Sequence, residues 1–143
     1  EWRWTLRLQI REVHRGEDQN DYEGQLVGEV DGTSLCVHIV VSSPEEEWAV
    51  LKPGSVVEAD IWLERSGEIR HRGALSSPLW EPLEGPLYRI VSTISEVVDD
   101  ETIVVVGSFP LRVDLDLVPS VPAPQLGVGD GVELRGLLKA ELI

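Results

Sequence analysis

The sequence predicts an all-β fold of two similar small β-barrels in tandem, the second abridged, with one short helix near residues 44–51. Three observations lead to this prediction. Apolar and polar residues alternate at a period of two, which is typical of strands with one buried face. Turn-forming residues separate the alternating segments at short intervals. The second half of the chain also repeats the residue pattern of the first.

The first strand has the clearest alternation. Polar residues occupy one face over ten positions, and the other face carries Trp2, Trp4, Leu6, Leu8 and Ile10. A period of two over this length predicts a half-buried strand. Glu12 and Val13 break the phase, so we expect a bulge there.

A hairpin is predicted after the polar loop that follows this strand. Residues 23–30 and 33–41 alternate again, and Asp31-Gly32 lies between them. This dipeptide suits a type I′ turn, in which both central residues have positive φ. The two segments are therefore predicted to pair as neighbouring strands.

A short helix is predicted next. Ser43 and Glu46 have the spacing of a capping box, and Pro44 suits the first helical position. The helix lies between the third and fourth of five strands, which is the order expected of an OB-type barrel. The last two strands of this unit are predicted over 55–63 and 68–72, with a turn at Ser66-Gly67.

The chain is predicted to contain a first unit over residues 1–75, a linker over 76–86 and a second unit over 87–143. The linker is rich in proline and glycine, which weaken strand pairing. In the second unit a proline-rich loop takes the place of the helix. No fifth strand follows there, so an open strand edge is expected.

Matched residues support a duplication. At an offset of 84 residues, Ile10, Glu12 and Val13 recur as Ile94, Glu96 and Val97. At an offset of 75 residues, Leu51, Gly54, Glu58 and Leu63 recur as Leu126, Gly129, Glu133 and Leu138. The loop after the first strand is longer in the first half, and it absorbs the difference between the two offsets.

Ser43-Pro44-Glu45-Glu46, followed by the segment from Leu51 to Ala59, resembles the C-terminal part of the molybdate-binding Mop and transport-associated OB domains. The resemblance implies OB-like units, often in tandem, that bind oxyanions at subunit interfaces. The Ser-Ala-Arg-Asn type of opening that supplies anion ligands in that family has no counterpart before Trp4 or near Leu87. No ligand residue is therefore carried over to this chain.

The charge of the chain bears on its partners. The formal net charge is −14, which disfavours nucleic acid and anionic membrane surfaces as partners. No apolar run reaches the roughly 18 residues that a membrane helix needs. Cys36 is the only cysteine, so no internal disulfide can form, and a reducing cytoplasmic location is expected.

Few residues are arranged for chemistry. Cys36 and His38 share a strand face, but zinc usually has at least three protein ligands. The acidic loop from Glu17 to Glu23 lacks EF-hand spacing, and Asp114 and Asp116 lie on one exposed face. No nucleophile elbow or phosphate-binding loop is present. We therefore predict no catalytic residue, no metal site and no cofactor, and the protein is not expected to be an enzyme.

The tryptophans are the candidate interaction surface. Trp48, Trp62 and Trp80 are candidates for contact with a partner, although packing within the protein explains them equally well. The predicted function is a non-enzymatic binding or adaptor module with a protein partner or a second copy of the chain. One alternative is a small ligand, an oxyanion or an oligosaccharide, bound between the halves. Single-stranded nucleic acid is a further alternative, which the charge disfavours.

Overall fold

The computed structural model describes residues 5–16, 21–73, 75, 77–115 and 125–143. Strands dominate these residues, and the one helix among them has seven residues. The elements in chain order are β1 (Thr5–Arg15), β2 (Glu23–Val30), β3 (Thr33–Val40), α1 (Pro44–Val50), β4 (Val56–Arg72), β5 (Leu79–Glu84), β6 (Leu87–Val97), β7 (Thr102–Val105), β8 (Leu111–Asp114) and β9 (Gly131–Leu142). The all-β prediction and the short helix are confirmed.

The strands are hydrogen-bonded in the order β1-β2-β3-β9-β4-β8-β7-β6-β5, with further pairings β1–β4 and β9–β6. The chain divides into two compact units. Unit 1 comprises Glu1–Ile61 and Leu138–Ile143, and unit 2 comprises Trp62–Leu137. These bounds differ from the predicted 1–75 and 87–143, because β4 and β9 each contribute residues to both units. In the described part of the chain, no helix is long and apolar enough to cross a membrane.

Unit 1 contains the antiparallel ladder β1-β2-β3. β4 pairs with the other edge of β1, and the end of β9 runs parallel to β3 with Ala140 opposite Ile39. The Asp31-Gly32 turn has φ values of 48° and 80°, so the positive-φ hairpin turn is confirmed. The interior is apolar and includes Leu8, Ile10, Leu26, Val37, Ile39, Ala59, Leu138 and Ala140.

Unit 2 contains the corresponding antiparallel ladder β6-β7-β8. β9 pairs with one edge of β6, and the segment Trp62–Glu64 of β4 runs parallel to β8. β5 is an additional strand that pairs with β6. The interior includes Ile90, Ile94, Ile103, Leu111, Val113, Val132 and Leu134.

The pairings of unit 2 repeat those of unit 1 in the same register. The β1–β2 pairing shifts register between Ile10 and Glu12, and the β6–β7 pairing shifts between Ile94 and Glu96. The bulge predicted from the broken alternation therefore exists, and it recurs at the matched residues of the second unit. A bulge bends its strand, so both first strands bend at the same point.

Both units also share a pair of backbone hydrogen bonds beside the bulge, which we call the clamp. The Ile10 N–H donates to the Ser55 carbonyl, and the Gly54 N–H donates to the Ile10 carbonyl, both at 2.8 Å. Ile94 makes the same two bonds, with Asp130 at 2.9 Å and with Gly129 at 2.8 Å. Gly54 and Gly129 have φ values of 90° and 93°, a region that side chains other than glycine's rarely occupy.

Two predicted segments differ in the structure. β4 continues from Val56 to Arg72 through Gly67, at φ 77°, so the predicted turn and separate strand over 68–72 are wrong. The predicted linker 76–86 contains β5, because Leu79–Glu84 finds a free edge on β6. Three prolines and Gly85 suggested a linker in this segment, but an edge strand tolerates proline.

The strand expected to be missing from unit 2 is present there. Trp62, Leu63 and Glu64 pair with Arg112, Val113 and Asp114, in the position that the end of β9 takes beside β3 in unit 1. This strand could not be recognised from the sequence, because it is continuous with β4 rather than with β9. The proline-rich residues 119–124 and the first two tryptophans, Trp2 and Trp4, lie outside the described residues.

Candidate binding site

Trp48 is a packing residue of unit 1. It projects from α1 and is 7% exposed. Its indole N–H donates to the Asp21 carbonyl at 2.6 Å, and the Arg15 guanidinium lies 5.2 Å from its ring centroid. A Cβ at Gly24 would lie 2.7 Å from the ring, so the indole lies against the β2 backbone. This side chain therefore offers little exposed surface to a partner.

The start of α1 differs in detail from its prediction. Ser43 is the N-cap residue but makes no side-chain capping bond. The Glu47 carboxylate instead accepts from the Ser42 N–H at 2.9 Å, from the Ser42 hydroxyl at 3.1 Å and from the Ser43 N–H. A carboxylate near the N-terminus also complements the helix dipole. The helix is therefore anchored by Glu47 rather than by a Ser43–Glu46 box.

Trp62 lies on the outer face of unit 2. Ile61 and Leu63 are buried on either side of it in sequence, whereas Trp62 is half-buried. The Arg112 guanidinium, on the neighbouring strand, is 5.5 Å from its ring centroid. One face of this ring is therefore engaged in a cation–π contact.

Trp80 is half-buried on β5. Its ring meets Phe109 edge-on, with centroids 5.1 Å apart, and lies so close to Gly107 that a Cβ there would be 1.9 Å away. The indole N–H is buried and has no hydrogen-bond partner in the described structure. The contacts of Trp48, Trp62 and Trp80 are with different residues, so we find no common aromatic surface among the described contacts.

An arginine cluster in unit 2 was not predicted from the sequence. Its members lie on β4, β6 and β9 and are Arg70, Arg72, Arg89 and Arg135. Arg70 and Arg135 line an open cavity of about 350 Å³ together with Ser66, Gly67, Glu68, Glu133 and Leu134. The four arginines come from positions up to 65 residues apart, and only the Arg70-x-Arg72 alternation hinted at a basic strand face.

Glu133 organises this cluster. One of its carboxylate oxygens accepts from Arg72 at 2.6 Å, and the other accepts from Arg89 Nε at 2.9 Å. The Arg89 hydrogen bond holds the pKa of Glu133 below its usual value, against the opposing effect of burial, and the charges of Arg89, Arg72 and Arg70 act in the same direction. Glu133 is thus ionised and fixes two guanidinium groups in place.

The cluster retains an excess of positive charge. Arg89 also lies 3.7 Å from Glu81, and Arg70 lies 3.6 Å from Glu68. No ion pair of Arg135 occurs among the residues that the structure describes. Four guanidinium groups thus meet three carboxylates in a chain whose net charge is −14. An arginine that is not neutralised is suited to a carboxylate or another oxyanion.

A second cavity, of about 440 Å³, lies in unit 1 and is lined by His14, Arg15, Gly16, Glu23, Gly24, Gln25 and His38. His14, Gln25 and His38 stand opposite one another on three neighbouring strands. His38 Nε2 is 3.6 Å from Glu23, and its Nδ1 is buried with no partner in the described structure. The cavity is polar, and we find no nucleophile positioned beside a base in it.

Cys36 lies beside Gln25 of the neighbouring strand β2. Its thiol lies 3.9 Å from the Gln25 side-chain oxygen, and burial, with a smaller contribution from Glu12, raises its pKa. A thiol of raised pKa is a poor ligand and a poor nucleophile at neutral pH. No group of three or more His, Cys, Asp or Glu residues in the described part of the chain is arranged for a metal ion.

Two weaker candidates lie partly outside the described residues. Residues 17–20 of the acidic loop and Asp116 fall there. Asp114 is described on β8, half-buried.

The chain matches no known protein family, no curated protein and no solved structure.

Proposed function

We propose that this protein is a non-enzymatic binding module of two OB-like units, which acts through contact with an acidic protein partner. The arginine cluster of unit 2 is the observation that carries this proposal. A net charge of −14 would repel an acidic partner, so a positioned group of arginines is needed to bind one. Docking requires no catalytic group, only guanidinium donors with fixed directions.

The strand pairings support the OB-like architecture. In unit 1 the pairings run β1-β2-β3-β9-β4 and return to β1, and in unit 2 they run β6-β7-β8-β4-β9 and return to β6. Each is a cycle of five strands, and in unit 1 a helix lies between the third and fourth strands. This combination is typical of an OB-type barrel, which commonly serves as a binding scaffold.

The test uses a fluorescein-labelled peptide of eight glutamates and a matching peptide of eight glutamines. Fluorescence anisotropy of the full-length chain at low ionic strength is expected to detect binding of the glutamate peptide only. Arg135→Glu should weaken that binding by at least about fivefold, because one attractive charge pair becomes repulsive. Lys52→Glu makes the same charge change at an exposed position of unit 1 and should leave binding within about twofold. Equal weakening by both variants, or no binding at all, would disprove the role of the cluster.

A small oxyanion is the second candidate, because it fits the same guanidinium groups. Molybdate, sulfate and phosphate are the probes in a thermal-shift series, since a ligand that binds only the folded state raises Tm with its concentration. A saturable rise that Arg135→Glu abolishes, with no binding of the glutamate peptide, would favour this candidate over a protein partner. A neutral oligosaccharide in the same series serves as the charge-free control.

A further inference from the structure

The first strand of each unit has two edges, and in unit 2 both of them are paired over the first part of the strand. Residues 87–93 of β6 pair with β9 on one edge. Since that edge is occupied, β5 must lie on the other, where Leu79 pairs with Val91 and Glu81 pairs with Arg89. β7 follows β5 along this same edge, beyond Ile94. The start of β6 is therefore covered on both sides.

Within the described residues, the start of β1 in unit 1 is paired on one side only. Residues 5–9 pair with β4, and pairing with β2 begins at Gln9. β5 covers the start of β6. At the offset of 84 residues that matches β1 to β6, the described residues of β1 in the equivalent positions are Thr5, Leu6 and Arg7. No described strand pairs with the second edge of these three residues. Consistently, Leu6 is half-exposed, whereas its counterpart Ile90 is fully buried.

The direction of the free backbone groups follows from the clamp at Ile10. Both backbone groups of Ile10 bond toward β4, and successive residues of a strand point to opposite edges. Leu8 and Leu6 therefore point toward β4, and Arg7 and Thr5 point toward the open edge. In unit 2 the Thr93 carbonyl, on the equivalent edge, accepts from the Val106 N–H at 3.0 Å, which agrees with this alternation.

We propose that the open edge of β1 at Thr5–Arg7 binds an extended segment of a partner protein, which adds a strand to unit 1 as β5 does to unit 2. β5 indicates the chemistry of that segment. Trp80 pairs with Ile90 and packs edge-on against Phe109, so an apolar residue is expected beside Leu6. An acidic residue is expected beside Arg7, which has no ion pair among the described residues. The partner is therefore an extended segment in which apolar and acidic residues alternate.

Amide hydrogen exchange, measured by NMR on the full chain, tests the open edge directly. The amides of Thr5 and Arg7 are expected to exchange at least about tenfold faster than those of Arg89 and Val91, which face β5. Slow exchange of Thr5 and Arg7 in the monomer would show that the chain covers its own edge. Slow exchange that develops with concentration, together with a dimeric mass, would assign the edge to a second copy. Either result overturns the proposal.

The probe for strand addition is a synthetic peptide with the sequence of residues 77–85, which contains β5, and a second version with Glu in place of Leu79. At saturation both should protect the Thr5 and Arg7 amides, and the second should bind more tightly because its Glu faces Arg7. A scrambled peptide of the same composition is the control. No protection by either peptide would contradict the proposal.

Two substitutions separate backbone bonding from charge. Arg7→Pro removes the outward N–H, which an edge position tolerates, and should weaken both peptides by about threefold to tenfold. Arg7→Ala keeps the N–H and should remove only the preference for the acidic version. Unchanged binding to Arg7→Pro with a native Tm would show that the peptide binds elsewhere. This surface and the arginine cluster are tested with different variants, so either proposal can fail alone.

Discussion

The paired strands β1–β4 in unit 1 and β6–β9 in unit 2 have the same register but opposite surface charge. Thr5, Glu58 and Asp60 in unit 1 correspond to Arg89, Glu133 and Arg135 in unit 2. The apolar residues that alternate with them are buried or half-buried in both units. A backbone pattern and its interior can therefore stay constant while the outer face changes charge, since surface substitutions usually change stability by less than about 0.5 kcal/mol.

The largest effect should come from the shared interior. Ile10 and Ile94 are 0% and 1% exposed and occupy matched positions beside the bulges. Ile10→Ala and Ile94→Ala should each lower the free energy of unfolding by about 2–5 kcal/mol, because each leaves a cavity in a packed interior. Urea denaturation measures both. Val98→Ala, at a residue that is 41% exposed, is the control and should cost less than about 0.5 kcal/mol.

A loss below about 1 kcal/mol in only one of the two isoleucine variants would break the comparison. It would mean that the matched residues are packed differently, despite their equal hydrogen bonds. Similar losses would support the view that one interior design is used twice.

A smaller effect is expected where the surroundings of matched residues differ. Val56 in unit 1 is 51% exposed, whereas its counterpart Gly131 is buried. A Cβ at Gly131 would lie 2.5 Å from the Gly73 carbonyl oxygen. Gly131→Ala should therefore lower the free energy of unfolding by about 1–3 kcal/mol, because the backbone must move.

Val56→Ala is the matched variant in unit 1 and should cost less than about 0.5 kcal/mol, because the side chain is largely exposed. Thermal and urea unfolding of the two variants measure the difference. If Gly131→Ala is neutral, the segment after β4 does not approach β9 as closely as the structure indicates.

The local features of this fold could be predicted from sequence, and the long-range ones could not. Alternation predicted β1, and its broken phase predicted the bulge after Ile10, because both depend on neighbouring residues. The strand that pairs with β8 was missed, because Trp62–Glu64 continues β4 without a break. Nothing local distinguishes a strand that ends in one unit from a strand that continues into another.

The candidate site was less predictable than the fold. The tryptophans were predicted as partner contacts because of their residue type. In the structure, the Trp48 ring lies beneath Arg15 and the Trp80 ring packs on Gly107. The arginine cluster assembles from three strands, and its members carry no distinctive spacing apart from Arg70 and Arg72. Charged residues that come together only through strand pairing form no sequence motif. The cluster could therefore not be identified before the strand register was known.

The smallest expected effect concerns Glu133 and its counterpart Glu58, and it depends on pH. The pKa of Glu133 is lowered from 4.5 in the folded state, so its ion pairs stabilise the protein above pH 4.5, and this contribution is lost as the pH falls through the lower, folded-state pKa. Glu133→Gln should therefore have a lower Tm than the parent at pH 7, with a difference that shrinks below about pH 4.5. Glu58→Gln removes the same charge from an exposed residue without a described ion pair, so it should change Tm little at any pH. If Glu133→Gln lowers Tm equally at pH 3 and pH 7, the loss reflects packing rather than ion pairing. The two units would then differ at this position in shape and not in electrostatics.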